Sequence, residues 1–233
     1  MPWHIFEREA STYEEWYTTR RGRRVDRAER ALLKWLLAPF PTARSALEVG
    51  CGAGHFTEWL TRNRLSVVGL DRAPAMLAEM RRRFPEIPAI LGDAHRLPFR
   101  EGAVDLVVFV TTLEFLEEPE VALAEGVLVA CQGLMVVTLN RWSLGGLSRR
   151  RGSQAGRPLL SQARDVSPAY LQGMLTRVAG ERLQDVRWTS TLFPDGLWWI
   201  RAPIPLGDVI GVDPARDQHT GGRERLIHDE RMT

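Results

Sequence analysis

Three glycines at alternate positions, Gly50, Gly52 and Gly54, follow an apolar run that has the character of a buried strand. Glycine lets the backbone turn tightly and approach a ligand, and a helix that begins after such a turn points its N–H groups at that ligand. Glu48 lies two residues before the first glycine, and Cys51 lies inside the turn. The pattern predicts a site for a nucleotide-type ligand at the carboxyl end of a strand. The alternative is a tight strand–helix turn without a ligand.

The residues after these glycines argue against two other phosphate-binding patterns. The dinucleotide fingerprint G-x-G-x-x-G would need a glycine at the position of His55. A triphosphate-binding loop would need a Gly-Lys-Ser or Gly-Lys-Thr sequence, which does not follow here. A nicotinamide dehydrogenase is therefore disfavoured, although it stays open.

Two further acids follow later predicted strands. Asp71 follows the strand predicted at Ser66–Leu70, where its two carboxylate oxygens could take both hydroxyls of a ribose. Dehydrogenases place an acid at a similar spacing, so Asp71 alone does not separate the two classes. The segment from Gly92 to Phe99 reads Gly-Asp-Ala-His-Arg-Leu-Pro-Phe and places Asp93 after the third strand.

Glu48 and the glycines form an E-x-G-x-G-x-G pattern that resembles the first motif of the class I S-adenosylmethionine-dependent methyltransferases. Three later segments follow in the order and spacing of that family: 92–99, 103–108 and 111–115. The resemblance covers about residues 46–140. It is closest to the ubiquinone/menaquinone-biosynthesis-type small-molecule branch (methyltransferase type 11), including an aromatic N-terminal helix at 13–17. The turn at 129–133 departs from the basic Lys-Pro-Gly-Gly turn usual in that branch.

The resemblance implies S-adenosylmethionine as cofactor and S-adenosylhomocysteine as product. It also implies that Asp93 accepts a hydrogen bond from the adenine amino group and that the backbone of Ala94 meets the ring. Tyr13 and Trp16 would belong to a lid over the cofactor, although aromatic residues at this spacing are as often plain core packing. The cofactor-binding residues implied are Tyr13, Trp16, Glu48, Gly50, Cys51, Gly52, Gly54, Asp71, Arg72, Asp93, Ala94, His95 and Thr111.

Methyl transfer from a sulfonium needs alignment of the acceptor and exclusion of water rather than a protein nucleophile. If the acceptor is a hydroxyl or a thiol, a general base can assist; Glu114 is the first candidate and His95 the second. A structural or solvated role stays open for both. We expect Cys51 to fill space in the turn and His55 to be a neutral packing or capping residue.

Strand-like apolar runs alternate with helical segments in the centre of the chain, which predicts an α/β protein with a parallel sheet covered on both faces. The resemblance implies a doubly wound Rossmann-like, mostly parallel seven-stranded sheet with helices on both faces and an N-terminal helical lid. The expected organisation is a lid at 1–40, a methyltransferase domain at 41–213 and a flexible tail at 214–233. Substrate-side loops are expected at 141–166 and 193–206.

The individual elements follow from apolar runs, prolines and capping residues. Strands are predicted at 45–49, 66–70, 89–91, 104–110, 134–139, 182–192 and 208–212. Helices are predicted through most of 1–38 and then at 55–62, 75–83, 119–129 and 169–179.

The 233 residues are 44% hydrophobic and 26% charged, with a formal net charge of +2, which is typical of a globular protein. The longest nearly apolar stretch, Gly126–Leu139, is 14 residues long, whereas a spanning helix needs about 20. The N-terminus has no secretory pattern, and the two cysteines and five histidines have no metal-ligand spacing. We therefore expect a cytoplasmic protein without a membrane span or a metal.

Two clusters bear on the acceptor, which we expect to be a small molecule. An apolar or aromatic acceptor is favoured by the residues Trp188, Phe193, Pro194, Trp198 and Trp199. An anionic acceptor is favoured by six arginines without an acid among them: Arg141, Arg149, Arg150, Arg151, Arg157 and Arg164.

Arginine supplies all but one of the 31 basic residues, Lys34 being the exception. The nearly balanced charge and the lack of a recognisable RNA-binding module argue against a nucleic-acid partner. The arginine clusters at 20–30 and 149–164 nevertheless keep an RNA or protein methyltransferase open. A non-catalytic S-adenosylmethionine-binding protein is the remaining alternative, and a monomer or homodimer is expected.

Overall fold

Strands and helices alternate along the chain from residue 45 onward. The computed structural model describes residues 3–10, 12–140, 163–164, 166–180, 183–191 and 209–216. The helices are α1 (Trp3–Glu9), α2 (Glu15–Thr18), α3 (Arg20–Leu37), α4 (His55–Arg62), α5 (Pro74–Arg83), α6 (Pro119–Val129) and α7 (Pro168–Ala179), with a 3₁₀ helix at Leu113–Phe115. The strands are β1 (Ser45–Val49), β2 (Ser66–Asp71), β3 (Ala89–Leu91), β4 (Val104–Val110), β5 (Ala130–Leu139), β6 (Leu183–Thr191) and β7 (Val209–Arg216).

The strands form one sheet in the order β3-β2-β1-β4-β5-β7-β6. β1 to β5 run parallel to one another. β7 lies between β5 and β6 and is antiparallel to both. The strand order reverses between β1 and β4, and open α/β sheets bind ligands in the crevice at the carboxyl ends of such strands. The prediction of an α/β Rossmann-like fold with parallel strands and helices is confirmed.

Side chains of the central strand β4 alternate between two hydrophobic cores. Val107 and Phe109 pack with α6 and α7 on one face, whereas Leu106 and Val108 pack with α3 and α4 on the other. All four side chains are fully buried. The unbroken apolar run at 106–110 follows, because a sheet covered on both faces buries successive positions of its central strands.

The N-terminal region consists of three helices, where the sequence predicts helix through most of 1–38. Thr19 is extended between α2 and α3, and its hydroxyl accepts a hydrogen bond from the Gly22 N–H at 2.9 Å. A threonine N-cap of this kind begins a new helix, so the chain changes direction here. Gly22 makes the approach of α2 and α3 possible, since a Cβ at this position would lie 2.0 Å from the carbonyl oxygen of Trp16.

Two strands extend four residues beyond a predicted end. β5 begins at Ala130, directly after α6, instead of at residue 134. β7 continues to Arg216, so residues 214–216 belong to the sheet and not to a tail. Ala215 pairs with Gly133 and Arg216 with Leu183. These partners are remote in sequence, so local pattern could not indicate where the strands end.

Several predictions fall on residues outside those described. They are the loop at 193–206 with its aromatic residues, most of the loop at 141–166, five of the six arginines (Arg164 is described), and the tail from 217 onward. Within the described helices, none combines the length and the apolar character required to cross a membrane.

Candidate functional site

An open cavity of about 990 Å³, its mouth included, lies at the carboxyl ends of β1, β2 and β4. Eleven of the predicted residues line the cavity: Tyr13, Glu48, Gly50, Cys51, Gly52, Asp71, Arg72, Asp93, Ala94, His95 and Thr111. The structure therefore brings residues from the N-terminal region, the glycine turn and three further strand ends to one place.

The glycine turn after β1 forms the floor of the cavity. Gly50 has a φ of 75°, and its N–H donates to the carbonyl oxygen of Leu70 at 2.7 Å. A Cβ at this position would lie 2.4 Å from Cγ2 and 2.5 Å from Oγ1 of Thr112. Both the backbone conformation and the lack of space thus require glycine at residue 50.

Thr111, the first residue after β4, carries backbone strain. Its φ is 48°, in the left-handed region that β-branched residues rarely adopt. The N–H of Thr111 donates to the carbonyl oxygen of Val137 at 2.8 Å, which helps to hold this conformation. Such strain costs about 1–3 kcal/mol and is concentrated at functional sites. Thr111 lines the cavity, which agrees with a functional origin of this strain.

Asp71 connects β2 to the glycine turn. Its Oδ2 accepts from the N–H of Gly52 and its Oδ1 from the N–H of Ala73, both at 2.8 Å. Burial raises the pKa of this carboxyl, against the opposing effect of those backbone hydrogen bonds. The Arg72 N–H is a third backbone donor to this carboxylate, which has about four acceptor positions, so acceptor capacity for a ligand remains.

Asp93 and His95 form a hydrogen-bonded pair on the opposite wall. Asp93 Oδ1 lies 2.6 Å from Nδ1 of His95 and accepts from its backbone N–H at 3.0 Å, while Oδ2 lies 3.5 Å from Nη1 of Arg72. Partial burial alone would raise the pKa of Asp93, but the hydrogen bonds from His95 outweigh it and lower that pKa. With Nδ1 held by Asp93, Nε2 of His95 can act as an acceptor, and the N–H of Glu118 lies 3.4 Å from it.

Glu48 is a buried carboxyl at the end of β1. Its side chain lines the cavity and accepts a hydrogen bond from the hydroxyl of Thr57 at 2.5 Å. Burial raises the pKa of Glu48 to about 8, with the Thr57 hydrogen bond opposing the shift. At neutral pH the free protein therefore holds this carboxyl mainly in its protonated form. The buried Cys51 beside it has a pKa raised well above the ordinary value by burial, which agrees with a space-filling thiol.

Three predicted residues lie away from the cavity wall. The side chain of Glu114 is buried within the protein, where Oε1 accepts from the N–H of Leu139 at 2.5 Å, so its contact is with β5 instead of the cavity. Gly54 is the N-cap of α4 with a φ of 84°. Trp16 packs edge-on against Tyr17, with ring centroids 4.9 Å apart.

The expectation of a neutral His55 is wrong. His55 Nδ1 lies 3.0 Å from Glu14 Oε2, and Nε2 lies 2.7 Å from Asp26 Oδ1. Burial alone would lower the pKa of this imidazole, but the hydrogen bonds to Asp26 and Glu14 outweigh it and raise the pKa to about 9. The side chain is therefore an imidazolium at neutral pH, and it also lines the cavity.

Sequence reasoning also missed the apolar walls of the cavity. Phe6 from α1 meets Phe115 edge-on, with ring centroids 5.0 Å apart. Met76 and Leu116 add further apolar surface. The position of Phe115 in the segment after β4 was the one available signal, since Phe6 and Met76 reach the cavity only through tertiary packing.

Comparison with known proteins decides which family has this arrangement. Residues 47–136 match the family model described as a methyltransferase domain. The matched stretch begins in β1, ends in β5 and contains the glycine turn together with Asp71, Asp93 and Thr111. The chain carries a class I S-adenosylmethionine-dependent methyltransferase domain.

Curated relatives of the methyltransferase domain match over a limited stretch. Demethylmenaquinone methyltransferase of Renibacterium salmoninarum is 40% identical over 79 residues, which are 34% of this chain and 33% of that protein. A probable S-adenosylmethionine-dependent methyltransferase of Mycobacterium tuberculosis is 33% identical over 80 residues, 34% of this chain and 29% of that protein. The matched stretch thus spans about a third of the length of these relatives.

Solved structures resemble the chain over more of its length. A Thermotoga maritima S-adenosylmethionine-dependent methyltransferase, described as a possible histamine N-methyltransferase, has a TM-score of 0.75 at 25% identity. That match covers 92% of this chain and 100% of the other. Magnesium protoporphyrin IX methyltransferase of Synechocystis, solved with S-adenosylhomocysteine, shares the fold with a TM-score of 0.61 at 17% identity, over 85% and 88% of the two chains.

The residues present in the methyltransferase domain fit its cofactor, S-adenosylmethionine. Gly50 forms a cradle that a Cβ would fill, and the partly buried Asp71 keeps acceptor capacity at the cavity wall. The acidic side chains Glu48, Asp71 and Asp93 suit a ligand that carries an ammonium, a sulfonium and several hydrogen-bond donors.

We expect S-adenosylmethionine binding at pH 7 to release about one proton, because a cation in the cavity stabilises the ionised form of Glu48. The free protein starts from a pKa of about 8 at this residue. Titration calorimetry in two buffers of different ionisation enthalpy measures the proton count. A Glu48→Gln variant should bind with no dependence on buffer, and equal heats for the wild type in both buffers would contradict the prediction.

The same raised pKa gives the free protein a pH dependence of stability. Glu48 has an ordinary pKa of 4.5 and a folded-state pKa of about 8. The stability that Glu48 contributes to the folded protein is fully present below its ordinary pKa and is lost as the pH rises through its folded-state pKa. The wild type should therefore lose stability as the pH rises from 4.5 to about 8, and the Glu48→Gln variant should lack part of that loss.

Proposed function

We propose that this chain transfers a methyl group from S-adenosylmethionine to a small-molecule acceptor. The observation that carries the proposal is the cavity at the carboxyl ends of β1, β2 and β4, which joins a glycine cradle and acidic groups to an apolar wall. The polar side suits the cofactor and the apolar side suits an acceptor.

The cofactor-binding roles are assigned by the family resemblance and the positions of the residues. Asp71 is proposed to accept from the ribose hydroxyls with the acceptor positions that Gly52 and Ala73 leave open. Asp93 and Ala94 are proposed to meet the adenine. The turn at Gly50 would let the backbone reach the amino-acid end of the cofactor. Bound S-adenosylmethionine supplies a methyl group on a positively charged sulfur, which an acceptor lone pair can displace in line.

The acceptor is proposed to be apolar or aromatic. Phe6, Phe115, Leu116 and Tyr13 line the cavity together and give it an aromatic and aliphatic wall. The chain's task at this wall is to exclude water and to hold the acceptor atom in line, at about 3–3.5 Å from the methyl carbon. The relative from Renibacterium salmoninarum is by name a demethylmenaquinone methyltransferase, which agrees with this class of acceptor.

If the acceptor atom carries a proton, His95 is the better candidate to remove it. Its imidazole lies on the cavity wall with Nδ1 held by Asp93, so Nε2 is the acceptor nitrogen. The Glu118 N–H, which donates to Nε2 at 3.4 Å, must move aside before Nε2 can take a proton. Glu114 is the weaker candidate, because its carboxylate is buried against Leu139 and away from the wall.

The remaining organisation is proposed as follows. Residues 1–40 form a lid, because Phe6, Tyr13 and Tyr17 from this region close one side of the cavity. Residues from 41 to the end of the sheet form the methyltransferase domain.

Titration calorimetry with S-adenosylmethionine, S-adenosylhomocysteine and NAD tests the cofactor part of the proposal. Binding of the first two and not of NAD is the expected result, and binding of NAD alone would overturn it. Transfer of a radiolabelled methyl group is then measured to a panel of apolar hydroxyaromatic compounds, to short-chain acids, to RNA and to protein. Labelling confined to the apolar compounds supports the proposed acceptor class. Labelling of RNA or protein, or cofactor binding without transfer to any acceptor, would favour the alternatives.

A further inference from the structure

We propose that His55 is a positioning residue that fastens the lid over the cofactor cavity. We call His55 together with Glu14 and Asp26 the latch. The inference rests on the proposed function, since it concerns how the same cavity retains its cofactor.

The latch joins the glycine turn to two parts of the lid. His55 is the first residue of α4, directly after the turn, whereas Glu14 precedes α2 and Asp26 lies within α3. One nitrogen of the imidazole faces each carboxylate, at 3.0 Å and 2.7 Å. The imidazole ring also stacks on Tyr17, with centroids 3.7 Å apart and planes 13° from parallel. A single side chain therefore contacts the lid at three positions.

Further charges surround the latch on every side. Arg83 from α5 lies 2.9 Å from the same Glu14 oxygen and donates to the carbonyl of Ala53 at 3.1 Å. Arg30 from α3 lies 2.6 Å from Asp26 Oδ1 and 3.3 Å from Nε2 of His55. Burial raises the pKa of Glu48 on β1, and the positive charge of His55 acts against that shift. Each of the two lid carboxylates is thus also paired with an arginine. Glu14 pairs with Arg83 from α5, and Asp26 pairs with Arg30 from the lid itself.

The protonation state of His55 suits this task. Only the imidazolium can donate from both ring nitrogens at once. The pKa of about 9 keeps it protonated at neutral pH. Burial alone would raise the pKa of Asp26, but the hydrogen bonds from His55 and Arg30 outweigh it and lower that pKa.

The lid needs such a contact at this position. The carboxyl-terminal half of α3 is anchored by the fully buried Leu32, Leu33 and Leu36. α2 has four residues, too few for a stable helix without external contacts. Tyr13 and Tyr17, which line the cavity, flank or belong to this short helix. The latch thus fixes the segment that carries the aromatic cover, while α1 is held separately by the hydrogen bond from the Ala75 N–H to Glu7.

Replacement of His55 tests the inference with two readouts. His55→Phe keeps a ring that can stack on Tyr17 and removes the charge and both hydrogen bonds. We expect the Kd of S-adenosylhomocysteine to rise about 10- to 100-fold, because two charge-assisted hydrogen bonds no longer favour the closed lid. In the free protein we expect trypsin to cleave the start of α3 about tenfold faster, as a lid that opens more often exposes its arginines: Arg20, Arg21, Arg23 and Arg24.

The pH profile separates positioning from general stability. Above about pH 9 the wild-type imidazole loses its proton, so the ratio of the His55→Phe Kd to the wild-type Kd should fall toward one. The α-amino group of the ligand titrates alike with both proteins and cancels in that ratio. Glu58→Gln is the matched control, since Glu58 lies on the same helix and pairs with Arg62 of that helix. Neither its Kd nor its cleavage rate should change.

Each outcome bears on the inference. A folded His55→Phe variant with unchanged Kd and unchanged cleavage would overturn it. If that variant does not fold, Glu14→Gln decides the same question through the lid's side of the latch, with the same expected changes. A wild type that binds neither S-adenosylmethionine nor S-adenosylhomocysteine would overturn the proposed function, whereas the cleavage rates would still support or overturn the latch.

Discussion

Replacing Gly50 by alanine is expected to raise the Kd of S-adenosylmethionine more than about 100-fold and to lower the free energy of unfolding by about 2–4 kcal/mol. The φ of 75° disfavours any residue with a Cβ by about 1–2 kcal/mol. The new methyl group would also lie 2.4 Å from Cγ2 of Thr112. The Thr112 side chain is held in place, because its hydroxyl donates hydrogen bonds to the carbonyl oxygens of Val49 and Val110. The turn must therefore move, and the backbone that faces the cofactor moves with it.

Gly102→Ala is the matched control for this prediction. Gly102 has a φ of 61°, and a Cβ there would lie 3.8 Å from its nearest neighbour, the Cβ of Cys131. It is not among the residues that line the cavity. We expect this variant to lose about 1–2 kcal/mol of stability and to bind the cofactor normally. Calorimetry and thermal unfolding of both variants make the comparison, and normal cofactor binding by Gly50→Ala would contradict the proposed role of the turn.

The parts of the site that could be predicted are those encoded by local sequence. The glycine turn needs residues that tolerate a positive φ within five positions, and this requirement is visible without any tertiary contact. Asp71 and Asp93 follow directly after apolar strands, and strand ends in a parallel sheet meet at one edge. The alternation of strands and helices was visible for the same reason.

The latch could not be predicted, because its partners are remote in sequence. Glu14 lies 41 residues and Asp26 lies 29 residues from His55. A histidine at the start of a helix does not indicate that its side chain is buried or charged. Both properties arise only when the N-terminal helices pack against α4. Its protonated state follows from that packing.

Glu114 shows a different limit of sequence reasoning. The segment after β4 was expected to face the cavity, and Phe115 and Leu116 do so while Glu114 faces β5. The residues at 113–115 form a 3₁₀ helix, in which successive side chains point about 120° apart. The direction in which the chain enters that helix decides which of these side chains faces the cavity. The sequence pattern does not indicate that direction.

Asp71→Asn is expected to raise the Kd of S-adenosylmethionine about 100-fold or more and to destabilise the free protein by about 1–3 kcal/mol. Both carboxylate oxygens of Asp71 accept from backbone N–H groups, of Gly52 and of Ala73. An amide has one acceptor oxygen, so in either orientation its NH₂ group faces a backbone donor. The conflict displaces the glycine turn at Gly52 and removes one acceptor proposed for the ribose hydroxyls.

Asp105→Asn applies the same chemical change at the opposite end of the sheet. Asp105 also accepts from two backbone N–H groups, of Arg44 and Ser45, but both bonds go to one oxygen, Oδ2. An asparagine can keep that acceptor and turn its NH₂ group toward Gln132, whose amide can present an oxygen in return. We therefore expect a smaller loss of stability and an unchanged Kd, measured by the same calorimetry. If Asp105→Asn weakened cofactor binding as much as Asp71→Asn, general destabilisation would explain both, and the ribose role of Asp71 would have to be abandoned.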